Sequence, residues 1–309
     1  MTRAEARRSQ PSPRLPTSIQ RILALPAQDG RVFAPADIRV EPSDVFVASF
    51  PKCGTTWMQQ IVHGLRSGGS MDFEEISLVV PWLECPPIPG LDLGGPQVAR
   101  PRAFKSHLRW DDIPKGGRYI YITRAPADAF VSFYYFLSGW MFEPDAFSLE
   151  DIYEGVFVND LLFGTYWEHL RSWWQVRERE DVLLMTYEDL IQDLEGSVRR
   201  IGAFMGLSVD DALAATVTRQ ATFAFMHAHE RQFDDHPTTA ILNTLAELPP
   251  DVRTTKVRTG RIGDSARLPA SIHAALDSAW REHFEGPLGI PSYTHLRQLL
   301  NESLDCASD

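Results

Sequence analysis

The spacing of apolar residues changes within residues 44–65. Residues 45–48 (VFVA) form a short apolar run, rich in β-forming residues and followed closely by a proline, which predicts a buried strand. From Thr55 onward, apolar residues instead recur at every fourth position, at Trp57, Ile61 and Leu65. That spacing places them on one face of a helix, so the segment predicts a strand, a tight turn and an amphipathic helix.

The turn between this strand and this helix has the features of an anion site. Gly54 permits a tight turn, and the helix opens on Thr55 and Thr56, so free backbone N–H groups and the positive end of the helix dipole converge there. Lys52 precedes the glycine, whereas the lysine of the usual nucleotide-triphosphate loop follows a glycine-rich run. We interpret the turn as a phosphate site with Lys52 at its mouth; the alternative is an ordinary strand-to-helix turn with a surface lysine.

Two further predicted strands end in residues that suit an anionic ligand. Lys105 and His107 lie two positions apart in the run AFKSHL, and side chains two apart share a face of an extended segment. Arg124 follows the run RYIYIT, and Ser132 lies two turns into the helix that comes next. In a parallel α/β sheet, such strand ends face the ligand crevice. Taken alone, these segments are also compatible with a bystander histidine and a serine that only packs.

Strands alternate with helices along most of the chain. The alternation continues at residues 182–205, where the run VLLM is followed by apolar residues at helical spacing. Helices are also expected at residues 161–178 and 269–285. This order predicts an α/β fold in which a doubly wound parallel sheet is flanked by helices on both faces.

Two of the connecting segments are unusually apolar. Residues 66–102 combine many glycines and prolines with Trp82, and residues 138–160 carry Trp140 and Tyr153. Such segments predict shaped loops over an apolar pocket, although loops that only pack against the sheet edge explain them equally well.

Composition narrows the classes of protein. The chain has 309 residues, 44% of them hydrophobic, which is enough for one large domain; we place it at residues 19–300, between a flexible basic tail (1–18) and an acidic tail (301–309). The net charge of −11 argues against a nucleic-acid-binding surface. Three scattered cysteines, and the lack of an apolar run long enough for a membrane span or a signal peptide, predict a cytoplasmic protein.

Three histidines occur close together after residue 221, where the regular pattern fades. They are His227, His229 and His236, and acidic residues lie nearby. An H-x-H pair without a flanking second pair is a weak metal signature. We therefore favour a solvated loop over a metal site here.

Six segments together resemble the cytosolic sulfotransferase family in residue type, order and spacing. They are FPKCGTTW, FKSHL, ITRAPADAFVSFYYF, YWEHLRSWW, TYEDL and RTGRIGD, and the resemblance extends from Ile19 to Trp280. It implies a single α/β domain with a P-loop-like parallel sheet of about five strands. It also implies the sulfuryl donor 3′-phosphoadenosine 5′-phosphosulfate (PAPS), with PAP as the product.

The resemblance also implies the roles of individual residues. The catalytic residues would be His107 as general base, Lys52 at the leaving phosphate oxygen, Lys105 at the transferred group, and Ser132. The donor-binding residues would be Lys52, Gly54, Thr55, Thr56, Trp57, Arg124, Ser132, Tyr187, Thr222, Phe223, Arg258, Thr259 and Gly260. The family has lysine where this chain has Thr259, so one phosphate contact is missing or comes from Arg261. The segment after Asp264 lacks the family's dimer motif, which leaves the oligomeric state open.

The predicted reaction is sulfuryl transfer from PAPS to a hydroxyl group of a small apolar or aromatic acceptor. No carboxylate in these motifs is placed for Mg²⁺, so we expect the reaction to need no metal. Two alternatives remain, namely a small-molecule kinase with a related phosphate loop and a nucleotide-binding protein without catalytic activity.

Overall fold

Four parallel strands form the central sheet of the computed structural model, which describes residues 15–26, 33–85, 88–159, 163–253, 256–257 and 263–305. The strands are β1 (Val45–Ala48), β2 (Ala103–Ser106), β3 (Arg118–Thr123) and β4 (Val182–Thr186). Their order across the sheet is β2-β1-β3-β4. The chain therefore leaves the central strand β1 toward one edge and returns to the other side, which is the doubly wound arrangement.

Helices connect and flank these strands. They are α1 (Thr17–Leu23), α2 (Thr55–Arg66), α3 (Ile76–Val79), α4 (Pro126–Leu137), α5 (Leu149–Ile152), α6 (Tyr166–Trp174), α7 (Tyr187–Gln192), α8 (Leu194–Phe204), α9 (Asp211–Gln220), α10 (Phe223–Ala228), α11 (His236–Leu245), α12 (Ala270–Trp280), α13 (Gly286–Leu288) and α14 (Tyr293–Asp305). Short π-helical turns follow α5 (Tyr153–Phe157) and α12 (Arg281–Glu285), and 3₁₀ turns occupy Glu230–Gln232 and Asp264–Arg267.

Alternate residues of the strands enter two separate apolar cores, one on each face of the sheet. Phe46 and Tyr121 lie in one core, with α4, α6 and the C-terminal helices. Val47 and Ile122 lie in the other, with α2, α8 and α9. Because both faces are buried, the strands are apolar at nearly every position, as short runs such as VFVA predict. The prediction of helices on both faces is confirmed.

Several details differ from the sequence-based expectations. The described residues contain four strands, close to the predicted number of about five. Residues 138–160, expected as a loop, include α5 and a π-helical turn. The expected solvated loop after residue 221 is wrong in part, because α10 and α11 occur there and Asp235 is buried between them.

The two predicted tails lie only partly within the described residues. Residues 1–14 and 306–309 are outside them. Within them, α1 begins at Thr17, where Ser18 is buried and donates a hydrogen bond to the Met141 carbonyl. At the other end, α14 extends to Asp305. Regular structure thus extends into both predicted tails.

A buried ion pair joins the segments that lead into β1 and β2. Arg102 donates to both carboxylate oxygens of Asp44, from Nε at 2.9 Å and from Nη2 at 2.6 Å. Both side chains are almost fully buried. The same guanidinium donates to the Arg39 and Gly94 carbonyls, so four of its five N–H groups have a described acceptor.

We expect Asp44→Asn to lower the free energy of unfolding by about 3–5 kcal/mol, because it leaves the Arg102 charge buried without its partner. Urea unfolding followed by circular dichroism measures this change. The matched control is Arg100→Gln, which breaks a solvent-exposed ion pair with Glu41 nearby and should cost less than about 1 kcal/mol. Equal effects of the two substitutions would contradict the prediction.

Candidate active site

Gly54 shapes the turn between β1 and α2. Its φ of 110° lies in the left-handed region, and a Cβ placed on it would come within 2.9 Å of the side chains of Ile122 and Tyr187. Glycine meets both conditions without strain. A 2.5 Å hydrogen bond between the hydroxyls of Ser49 and Thr55 ties the two ends of the turn together.

A cavity of about 490 Å³ lies where β1, β2 and β4 end. The predicted site residues that line it are Lys52, Gly54, Thr55, Thr56, Trp57, Lys105, His107, Tyr187, Thr222 and Phe223. These residues come from the turn after β1, the start of α2, the end of β2 and the starts of α7 and α10. The fold thus assembles, at one edge of the sheet, residues that are far apart in the sequence.

One side of this cavity is an aromatic slot. The Trp57 ring packs edge-on against the Tyr187 ring, with centroids 5.1 Å apart, and its indole nitrogen donates to the Ala221 carbonyl at 2.7 Å. Phe223 is 41% exposed and stacks on His227. A large aromatic side chain left so open at a cavity edge is available to cover a planar ligand. The cavity wall also contains apolar residues that sequence reasoning missed, namely Leu190, Ile191 and Leu194.

The residues predicted to hold a second phosphate are only partly described. Arg124 is buried, and its guanidinium lies over the Tyr187 ring at 4.3 Å from the centroid. Ser132 is half-buried on α4 and is not among the residues that line the cavity. Arg258, Thr259, Gly260 and Arg261 lie outside the described residues. A phosphate site formed by these residues therefore stays a prediction.

His107 lines the cavity and has a defined tautomer. Its Nδ1 lies 2.8 Å from the Ser49 carbonyl oxygen. Because a carbonyl only accepts hydrogen bonds, Nδ1 carries the proton, and Nε2 of the neutral ring is left with its lone pair. The ring lies between Trp82 and Phe163, with centroids 5.2 and 5.4 Å away. This is the geometry of a neutral base in apolar surroundings.

Buried polar groups fix the main chain at His107. The Glu84 carboxylate accepts a hydrogen bond from the His107 backbone N–H. On the other side, Nε2 of His169 lies 3.0 Å from the His107 carbonyl, and the Tyr121 hydroxyl lies 3.1 Å from Nδ1 of His169. Burial raises the pKa of Glu84 to about 7 and lowers that of His169 to about 3. The sequence singled out none of these three supporting side chains.

The predicted pair of Lys105 and His107 is confirmed to face one cavity, but Lys105 has a partner that we did not predict. Its Nζ donates to Oδ2 of Asp235 at 3.0 Å and lies over the Trp82 ring, 4.1 Å from the centroid. Lys256 donates to the same carboxylate oxygen. Burial alone would lower the pKa of Lys105, but the Asp235 charge raises it above its usual value. The ammonium group is therefore charged at neutral pH.

Among the residues that the structure describes, no three histidine, cysteine or acidic side chains come together as a metal site. His236 instead contacts Asp234, with Nδ1 2.8 Å from Oδ1. No described helix is long and apolar enough to cross a bilayer.

Residues 42–259, more than half of the chain, match the sequence model described as the Sulfotransferase domain. The chain belongs to the sulfotransferase family. The resemblance inferred from the six motifs is thereby confirmed, and so is the predicted class of enzyme at the level of the family.

Curated relatives of this sulfotransferase are distant. Human sulfotransferase 1C2 is 26% identical over 196 residues, which cover 60% of this chain and 66% of the human protein. Bovine (Bos taurus) sulfotransferase 1E1 is 26% identical over 282 residues, or 86% of each chain. The guinea pig (Cavia porcellus) 3-alpha-hydroxysteroid sulfotransferase is 32% identical over 200 residues, or 62% of this chain and 68% of the relative.

Solved structures confirm the fold of this sulfotransferase. Retinol dehydratase in complex with androsterone and the inactive cofactor PAP superposes with a TM-score of 0.65 at 20% identity, covering 80% of this chain and 82% of the other. A mouse sulfotransferase complexed with PAP gives a TM-score of 0.61 at 19% identity and covers 94% of both chains. The prediction of a single α/β domain with a P-loop-like parallel sheet is therefore confirmed.

The environment of His107 predicts that its ring stays neutral at pH values where an exposed histidine is already protonated. Burial and the nearby Lys105 charge hold the pKa of His107 well below its ordinary value of 6.5. We expect ¹⁵N NMR, assigned with His107→Gln, to show a neutral ring protonated at Nδ1 at pH 7 and no protonation on lowering the pH to 6. In urea the same ring should titrate near its ordinary pKa of about 6.5. A folded-state midpoint at or above that value, or a proton on Nε2, would contradict this assignment.

Proposed function

We propose that this sulfotransferase transfers a sulfuryl group from PAPS to a hydroxyl group of a small, apolar or aromatic acceptor. The observation that carries the proposal is a neutral His107 whose Nε2 is free of the main chain, in a cavity that also contains Lys52, Lys105 and an aromatic slot. The PAP complexes of retinol dehydratase and the mouse sulfotransferase support PAPS as the donor.

The described residues fit such a donor. The aromatic slot beside Trp57, Tyr187 and Phe223 would take the adenine ring. The N-terminus of α2, with Thr55 and Thr56, would bind the 5′-phosphate through backbone N–H groups and hydroxyls. We keep Arg124 and Ser132 as the proposed ligands of the 3′-phosphate, together with Arg258 and Gly260.

The reaction would proceed by in-line displacement. Nε2 of His107 accepts the proton of the acceptor hydroxyl, whose oxygen bonds to sulfur while the bond between sulfur and the phosphate oxygen breaks. PAP leaves with the electron pair of that bond. The ring of His107 is neutral and has its tautomer fixed, so it is ready to accept this proton without first losing one.

Cations would stabilise the charge that develops. The Lys52 ammonium lies inside the cavity, 4.0 Å from the centroid of the Phe136 ring. From the turn after β1, it would neutralise the leaving phosphate oxygen, and Lys105 would bind the sulfuryl oxygens. Fixed charges in an apolar cavity act strongly because little water screens them.

The apolar part of the cavity supports an acceptor with a large nonpolar surface. Besides Trp82, its walls include Ile22, Phe133, Phe136, Trp140, Met141, Val156, Phe163 and Leu242. Both predicted apolar connections contribute to these walls, and α1 adds Ile19 and Ile22. The androsterone complex of retinol dehydratase and the hydroxysteroid sulfotransferase from guinea pig support an acceptor of this kind.

We expect the purified protein to transfer ³⁵S from labelled PAPS to hydroxyl compounds such as phenols and sterols. His107→Gln should reduce kcat by about 10²–10⁴-fold, and Lys52→Met by about 10²–10³-fold because it removes a preformed charge at the leaving group. The matched controls are His229→Gln and Lys115→Met, at exposed positions outside the cavity wall, and they should retain activity.

The same assay separates the competing functions. Consumption of ATP with Mg²⁺ in place of PAPS would identify a kinase, and tight PAP binding without transfer to any hydroxyl would indicate a binding protein. We expect transfer to persist in EDTA, and its restoration only by Mg²⁺ would contradict the proposed chemistry.

The apolar walls predict a steric effect on the acceptor. Val156→Phe places a larger side chain in the cavity wall and should raise KM for apolar acceptors roughly tenfold, while PAP binding stays within twofold of the wild type. Val158→Phe makes the same change two residues away, outside the described cavity wall, and should leave KM unaltered. If Val158→Phe had the larger effect, the acceptor would bind elsewhere.

A further inference from the structure

Lysine is rare in this chain and concentrated at the cavity. Only four of the 30 basic residues are lysines, namely Lys52, Lys105, Lys115 and Lys256. All except Lys115 line the cavity. Arginine therefore supplies most of the positive charge outside the cavity, whereas three of the four lysines line the cavity in which a ligand would bind. Lys256 has no role in the function proposed so far.

Two of these lysines share one carboxylate oxygen. Lys105 and Lys256 both donate to Oδ2 of Asp235, so their two nitrogens are no more than about 6 Å apart. All three side chains are largely buried. A second buried carboxylate, Glu75, lies next to Asp235, and burial together with the Asp235 charge raises the pKa of Glu75 to about 7. When Glu75 is protonated, the two cations exceed the Asp235 carboxylate by one positive charge in a cavity whose other walls are mostly apolar. Such an excess is stabilised when an anion binds.

The conformation of Asp235 directs its carboxylate toward these lysines and away from its own helix. Asp235 precedes the first residue of α11, where aspartate ordinarily accepts a hydrogen bond from the helix N-terminus, but its side chain makes no such bond. Its backbone has a φ of 61° in the left-handed region, and its N–H donates to Glu75 at 3.0 Å. The residue is thus turned away from its own helix and toward Lys105 and Lys256.

Lys105 and Lys256 lie on the same side of the cavity as His107, where the transferred group would be. The Lys105 ammonium and the His107 ring contact the same Trp82 ring, so Lys105 and its neighbour Lys256 lie on the side of the proposed base. Lys52 lies elsewhere, against Phe136 on α4. The two clusters therefore suit different parts of the donor, Lys52 the leaving phosphate and the lysine pair the sulfuryl group.

We propose that Lys256 is a second sulfuryl-binding residue, which acts with Lys105 as a clamp, and that Asp235 is the counter-ion that holds both lysines in place. The inference rests on the proposed function, because the sulfuryl group is that of PAPS. With the sulfuryl group bound, its negative charge and that of Asp235 balance the two ammonium charges. PAP lacks the sulfuryl group and leaves the clamp unfilled.

The comparison of PAPS with PAP tests this inference without requiring turnover. Equilibrium binding of each nucleotide is measured without acceptor, by the fluorescence of the tryptophans, for the wild type and variants. We expect Lys256→Met to weaken the binding of PAPS at least tenfold and the binding of PAP less than threefold. Lys256→Arg, which keeps the positive charge, should retain most of the wild-type preference for PAPS over PAP. The variant keeps the Lys105–Asp235 pair, which favours normal folding. Lys115→Met is the matched control and should change neither affinity.

The outcomes distinguish this inference from the function on which it rests. If the wild type binds neither nucleotide, the proposed function fails. If the wild type binds both nucleotides but Lys256→Met leaves the ratio of their dissociation constants within twofold of the wild-type ratio, the sulfuryl clamp is wrong while the proposed function stands. Asp235→Asn should lower the preference for PAPS because Lys105 and Lys256 lose the charged carboxylate that holds both of them, and an unchanged preference would overturn the counter-ion role.

A second measurement uses the unmodified protein. Acylation of lysine amines, followed by mass spectrometry, should show Lys256 protected more by PAPS than by PAP, with Lys115 unaffected by either. Equal protection of Lys256 by the two nucleotides would contradict direct contact with the sulfuryl group.

Discussion

The close approach of α2 to the sheet at Gly54 is the constraint on which the site depends. The left-handed backbone and the absence of a side chain let the turn pass against Ile122 of β3 and Tyr187 of α7. This contact sets the start of α2, and with it the positions of Lys52 and Trp57, relative to the ends of the neighbouring strands. A Cβ at this point would push the turn away from the aromatic slot beside it. One glycine therefore couples the phosphate end of the proposed donor site to its adenine end.

The second physical theme is charge held in apolar surroundings. The cavity places lysines among tryptophan, phenylalanine and aliphatic side chains, where a bare ammonium would be costly. Aromatic faces and the Asp235 carboxylate reduce that cost for Lys105, and the Phe136 face does so for Lys52. The same apolar walls exclude much of the water that would weaken these charges. These contacts within the protein thus lower the cost of holding cations in an apolar cavity.

His107 illustrates how packing selects the protonation state and tautomer of a side chain. A histidine in water near pH 7 exists in two neutral tautomers and a cation. Here the Ser49 carbonyl selects the tautomer, and burial beside Trp82 and Phe163 suppresses the cation. Glu84 and His169 act on the backbone rather than on the ring, so they hold the position of His107 and leave Nε2 unengaged. The result is a neutral imidazole whose tautomer and position are set by neighbours on different segments of the chain.

The amino-acid sequence by itself determined the strand and helix order, the tight turn at Gly54 and the family, because local periodicity and the spacing of motifs are written along the chain. It also placed Lys105 and His107 on one face, since side chains two apart in a strand must share it. Only the tertiary structure decided which carboxylate Lys105 meets. The local patterns around Asp235 and Lys256 do not show that either side chain meets Lys105, and helices that bury Asp235 occur where a solvated loop was expected. Contacts between residues far apart in the sequence depend on how the sheet brings segments together, and no local pattern encodes that.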